Sequence, residues 1–164
     1  MSLADQLLGL FQGWTTEPIT KSRIRLHSED VTFTADFEEA NSLACSINEV
    51  SFRVSDATWS FTQVKAIAQT ICDQWDFLLE QLAIIESDQL NDTIQVRSGI
   101  PAETLGSYQY YEVLVEPTGD ISLKRFECAT AEKSRVCKTM HFTNETLARL
   151  CERTETLLLK ELMV

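Results

Sequence analysis

Glycine occurs only five times in these 164 residues, proline three times and histidine twice. The glycine-dependent phosphate loops GxxxxGKS/T and GxGxxG are absent, and so are GxSxG and HExxH. The first two let backbone amides approach a phosphate; the last two expose a nucleophile or hold a zinc ion. Without them the best-marked nucleotide-binding, hydrolase and metalloprotease readings fall away. Basic residues are short as well, 14 against 25 acidic ones, for a net charge of −11. Affinity for nucleic acid rests on neutralised phosphates, and anionic membranes repel an acidic surface, so neither partner is expected. No apolar run approaches the roughly 18 residues of a membrane span. The first 13 residues carry Asp5 in place of a basic lead, unlike a secretory signal, and the expected location is cytoplasmic. Five cysteines with no CxxC signal neither a disulfide framework nor a zinc site, and no cofactor or metal is expected.

What the chain does have is alternation. Ile24 and Leu26 alternate with Arg23, Arg25 and His27, Val31 to Phe37 with Thr32, Thr34 and Asp36, and Val50 to Val54 with Ser51 and Arg53. Strand side chains repeat every two residues, so each segment has one face for a core and one for water. Such strands build an antiparallel sheet covered on one side. Apolar matching predicts Leu26 opposite Phe33 and Ile24 opposite Ala35, which sets Arg23 against Asp36 and Lys21 against Glu38. A slip of one residue would bury the arginines.

Two helices frame this unit. Residues 2–12 carry Leu3, Leu7, Leu10 and Phe11 on one face, with Ser2 as cap and Asp5 in the first turn. In the second helix Ser60 caps, Gln63 completes a capping box and Trp59 staples onto Val64. A broad stripe then runs Phe61, Val64, Ala68, Ile71, Trp75, Leu78, Leu82, which predicts a helix continuing to that point and lying on a sheet. After it the period returns to two. Strands are predicted over 82–87, 93–98, 108–116, 121–128 and 135–142, with a loop at 99–106 around Pro101 and turns at 117–120 and 130–134. A last helix over 144–162, capped by Thr143 or Asn144, closes the chain. The reading is α+β: one domain over 1–164, an antiparallel sheet of seven to eight strands with three helices, mainly over one face, in the order α-β-β-β-α-β(4–5)-α.

Constellations with chemical potential are sparse. Cys137 and His141 share a strand face near Cys128, a set read as unrelated side chains, not as metal ligands. The acidic runs 36–39 and 152–155 are assigned to solvated faces or turns, since catalysis would require a carboxyl in a cleft. Tyr108 and Tyr110 are the candidate binding residues. They share a strand face with Glu112 and Leu114, the face assigned to solvent, whereas Tyr111 falls with Val113 and Val115 on the core side. Tyrosine is enriched at interfaces because it joins a large apolar body to a polar tip.

The order of elements resembles that of type III secretion chaperones, which implies a small acidic dimer that wraps unfolded protein. The functional expectation is a non-catalytic protein-binding or adaptor domain, self-associating as a homodimer or meeting another protein. The alternative is a protein that holds a small apolar ligand in a curled antiparallel sheet. An enzyme without a recognisable motif is the third reading.

Overall fold

The computed structural model of the chain describes residues 1–99, 106–131 and 134–163. The elements are α1 (Leu3–Gly13), β1 (Ile19–Ser28), β2 (Val31–Ala40), β3 (Ala44–Val54) and α2 (Phe61–Gln74). Then follow β4 (Leu82–Asp88), β5 (Thr93–Ser98), β6 (Ser107–Val115), β7 (Asp120–Ala129), β8 (Arg135–Lys138), β9 (Met140–Thr143) and α3 (Asn144–Leu162). Seven strands form one antiparallel path, β1-β2-β3-β7-β6-β5-β4, with β8 on β7 and β9 on β3. The α+β architecture and the order of elements are those the patterning predicts. The loop expected around Pro101 lies largely outside the described residues, as does part of the turn at 130–134.

The joint between the two halves of the sheet is forked. β3 and β7 pair only from Val50↔Leu123 to Arg53↔Asp120. Beyond that, β7 takes β8 as its neighbour, with Phe126 opposite Cys137, and β3 takes β9, with Ile47 opposite Met140. The chain therefore enters the fork along β7, turns at Thr139 and leaves along β3. The single strand expected over 135–142 is two strands for this reason.

The alternation places Phe33, Phe37, Val50, Phe52, Val96, Val113, Ile121 and Leu123 on one face, each buried. α2 packs on β4, β5 and β6, and α3 on β2, β3 and β9; α1 lies against α3 and β1. The buried side chains form a continuous cluster in which Leu3, Leu7, Ile67, Ile71 and Leu158 of the helices meet the sheet. Burial of this apolar surface, worth about 25 cal/mol per Å², is the main driving force for docking the helices.

Local chemistry explains the element ends. Ser60 accepts from the Gln63 amide at 3.2 Å and Gln63 Oε1 accepts from the Ser60 amide at 3.0 Å, a complete capping box. Gly119 sits at φ +91°, and a Cβ there would stand 2.7 Å from the Val54 carbonyl, so the turn into β7 requires glycine. Two expectations are corrected. The second helix stops at Gln74, not at Leu82. Arg153 of α3 donates to the Gln74 carbonyl and to Asp76 (2.6 Å), and Trp75 Nε1 donates to Thr154 Oγ1 at 3.2 Å, so tertiary partners take the helix end. Trp75, Leu78 and Leu82 stay buried without being helical. The hairpin register has Leu26↔Phe33, Ile24↔Ala35 and Arg23↔Asp36 as predicted, but Lys21 takes φ 45° and forms no ladder pair. Glu38 accepts instead from Asn48 Nδ2 at 3.3 Å.

Loss of the cap in Ser60→Ala is expected to cost about 0.5–2 kcal/mol of stability, and loss of the buried indole in Trp75→Ala about 3–5 kcal/mol. Denaturant titration measures both. A Trp75→Ala protein as stable as wild type would contradict this packing of the link between α2 and β4.

Candidate functional site

Among the described residues the three helices lie on one face of the sheet, and no helix lies on the other. Tyr108 and Tyr110 lie on that outer face, their ring centroids 5.9 Å apart, and Tyr110 is a further 5.9 Å from Phe126. Tyr110 is only 3% exposed, whereas Tyr108 and Phe126 are half-buried. Two arginines from neighbouring strands provide much of the cover. The Arg97 guanidinium lies 4.5 Å over the Tyr110 ring and that of Arg135 lies 4.0 Å over Phe126. Glu112 ties them together, accepting from Arg135 at 2.6 Å and from Arg97 at 3.5 Å. Cation–π contacts of this kind contribute about 0.5–1 kcal/mol each at exposed sites. Bonds to the Tyr110 hydroxyl and then to Glu112 raise the Arg135 pKa, and the Cys128 thiol pushes that of the Tyr108 phenol up.

Sequence patterning alone does not single out Arg97, Phe126 or Arg135. The signal for Phe126 was present: the turn at 117–120 centres its hairpin on Thr118, and Tyr110 and Phe126 are equidistant from it. Arg135 could not be found, because it depends on the fork and on β8 pairing with β7.

Further along the outer face, β1, β2, β3 and β7 form a hollow of about 380 Å³. Arg23 and Arg53 stand in it, held by bidentate pairs to Asp36 and Asp120 with leading distances of 2.6 Å. The Arg23 hydrogen bond holds the Asp36 carboxyl below the usual range. Its folded pKa being depressed, the contribution is present above the unfolded value and is lost as pH falls through the folded one. Arg23 is largely exposed and Asp36 partly so, which keeps that contribution small. On the inner face Arg125, 7% exposed, grips Glu80 with two bonds of 2.9 Å and lies 4.3 Å over the Tyr111 ring. Burial opposes its charge, but the bonds to Glu80 and its neighbours outweigh that and raise its pKa.

A hollow of about 1050 Å³ runs between α1 and α3 beside the β1–β2 turn. Its floor corrects one expectation, because Glu155, assigned to a solvated run, is only 6% exposed. Its carboxylate accepts from the Leu3 amide at 2.9 Å and from the Ser28 hydroxyl. It thereby satisfies an otherwise unpaired amide at the α1 N-terminus, where the helix dipole favours negative charge.

The turn at Thr139 separates the remaining candidates. Cys137 lies on β8, with Sγ 3.8 Å from the Asn48 carbonyl, while His141 on β9 bonds Ser46 Oγ at 3.1 Å. Among the described residues, no three His, Cys, Asp or Glu side chains converge as metal ligands. Burial pushes the Cys45 thiol up to about 12 and holds that of Cys151 well above its ordinary value, whereas Cys137 is exposed. A disulfide-exchange reagent at neutral pH is expected to label Cys137 first and Cys45 and Cys151 only on unfolding. Mass mapping of the labelled cysteines checks this, and early modification of Cys45 would contradict the packing of β3 against β9.

Compared with protein families, with curated proteins and with solved structures, the chain finds no match.

Proposed function

We propose that the chain is a non-catalytic protein-binding domain, that its contact surface is the outer sheet face around Tyr108 and Tyr110, and that the occupant is a second copy of itself. The observation that carries this reading is the ordered arginine–aromatic patch on the face without helices. Tyrosine, phenylalanine and arginine are the residue types enriched in interface centres. Here they are already held in place by one another and by Glu112, so little rotamer entropy remains to be lost on binding.

Self-association follows from the make-up of the patch. It contains cationic, aromatic and carboxylate groups together, so a two-fold copy offers each group its complement. Repulsion between two chains of net charge −11 is eased at this place, where Arg97 and Arg135 outnumber Glu112. The other expectation, a small apolar ligand inside a curled sheet, has less support. The inner face is packed by the helices, with Phe33, Phe52 and Ile71 fully buried.

Sedimentation velocity across a hundredfold concentration range tests the proposal. A concentration-dependent dimer is expected, with Tyr108→Asp weakening it by about tenfold or more, as for an interface hot spot, and Tyr108→Phe largely retaining it. A monomer at every concentration, or a dimer indifferent to Tyr108→Asp, would overturn it.

A further inference from the structure

The groove between α1 and α3 differs from the outer-face patch in both charge and shape. Its walls carry Asp5, Glu29, Glu145, Glu152 and Glu155 against one arginine, Arg149. That arginine is engaged, since Arg149 Nη2 lies 3.4 Å from Glu145 Oε1 one helical turn away. Glu155 at the floor is held by neutral donors alone, the Leu3 amide and the Ser28 hydroxyl. Five carboxylates against one paired guanidinium and the Met1 amino group leave the groove net negative.

Apolar groups lie among these charges. Leu8 of α1 is 44% exposed at the groove, and Leu159 of α3 lines the same hollow half-buried, with Ala4 and Ala148 between. At about 1050 Å³ the hollow stands at the upper end of small-molecule sites, which are usually about 300–1,000 Å³ and enclosed by mostly apolar walls. A trough between two helices with a leucine on each wall and acids along the rim fits a different occupant. It suits an amphipathic helix, which lays its apolar face into a groove and its charged flanks against the rim.

We infer that the α1–α3 groove is a second binding surface and takes a basic amphipathic helical segment of a partner protein. The lysines or arginines of that segment face Glu29, Glu145 and Glu152, and its apolar residues cover Leu8 and Leu159. Charge complementarity sets the sign of the partner, and the two leucines set its amphipathic character. The inference stands apart from the self-association reading, since the two surfaces share no residue.

The probe is an 18-residue leucine–lysine peptide of helical periodicity, labelled for fluorescence anisotropy and titrated with the full chain. A leucine–glutamate peptide of the same apolar spacing is the first control. The leucine–lysine peptide is expected to bind, with affinity falling as salt rises, and the leucine–glutamate peptide is not. The double variant Glu145→Lys, Glu152→Lys changes two exposed side chains and is expected to weaken binding by about tenfold or more. The variant Glu86→Lys, Asp73→Lys, on β4 and α2, makes the same change in net charge away from the groove and is expected to weaken it by less than about threefold. Leu8→Ser is expected to weaken binding at high salt, where the charged contribution is screened. Circular dichroism establishes that each variant is folded. Equal loss in the two charge-reversed proteins would overturn the inference by tracing binding to overall charge. Absence of binding to wild type, or indifference to Leu8→Ser, would overturn it as well.

Discussion

Three consecutive residues in the middle of α3 hold the helical layer together. Arg153 donates to the Gln74 carbonyl and to Asp76, and so fixes the C-terminal end of α2. Thr154 accepts from the Trp75 indole, and its own hydroxyl donates a hydrogen bond to the Leu150 carbonyl at 2.7 Å. Glu155 receives the α1 N-terminus and the Ser28 hydroxyl. Consecutive helical residues point about 100° apart, so one turn of helix can address three different neighbours. At the buried bonds, Trp75 to Thr154 and the Leu3 amide to Glu155, removal of the acceptor leaves a buried donor unpaired, and that penalty is larger than the net value of the bond itself.

The rest of the architecture follows from this arrangement. With α1 and α2 both drawn to α3, the three helices form one layer, and they cover the face of the sheet on which the alternation places its apolar side chains. Among the described residues the opposite face has no helix, and there the arginines of β5 and β8 lie down over Tyr110 and Phe126. The same layer creates the groove between α1 and α3, because Glu155 draws the start of α1 inward while Leu8 and the acidic side chains on α3 remain at the surface. One face of the molecule is thus an arginine–aromatic patch and another an acidic trough.

Most of the fold was legible in the sequence because it depends on local rules. Two-residue alternation placed β1, β2 and β3, the capping box placed the start of α2, and the turn around Gly119 placed the hairpin of β6 and β7. What could not be read depends on partners distant in the chain. The periodicity through Trp75, Leu78 and Leu82 describes burial correctly, but the helix ends early because Arg153 and Thr154 compete for its last turn. The break at Thr139 requires knowing that β3 and β7 diverge. Alternation assigns Tyr108 and Tyr110 to the solvent face, but only Tyr108 is partly exposed there; Tyr110 is buried beneath two arginines that lie elsewhere in the chain. Glu155 shows the limit most directly. Composition marks a run of charged residues as solvated, and only the approach of α1 reveals a buried carboxylate that serves as a cap.

Native-state hydrogen exchange on wild type and Glu155→Ala tests the organising role of α3 most directly, because it reads each element separately. Bonds to a charged acceptor contribute roughly 1.5–3 kcal/mol, so protection of the α1 amides should fall by about tenfold to a hundredfold in the variant. Amides in the ladder between β6 and β7 should keep their wild-type protection. Wild-type protection throughout α1 in Glu155→Ala would contradict the account.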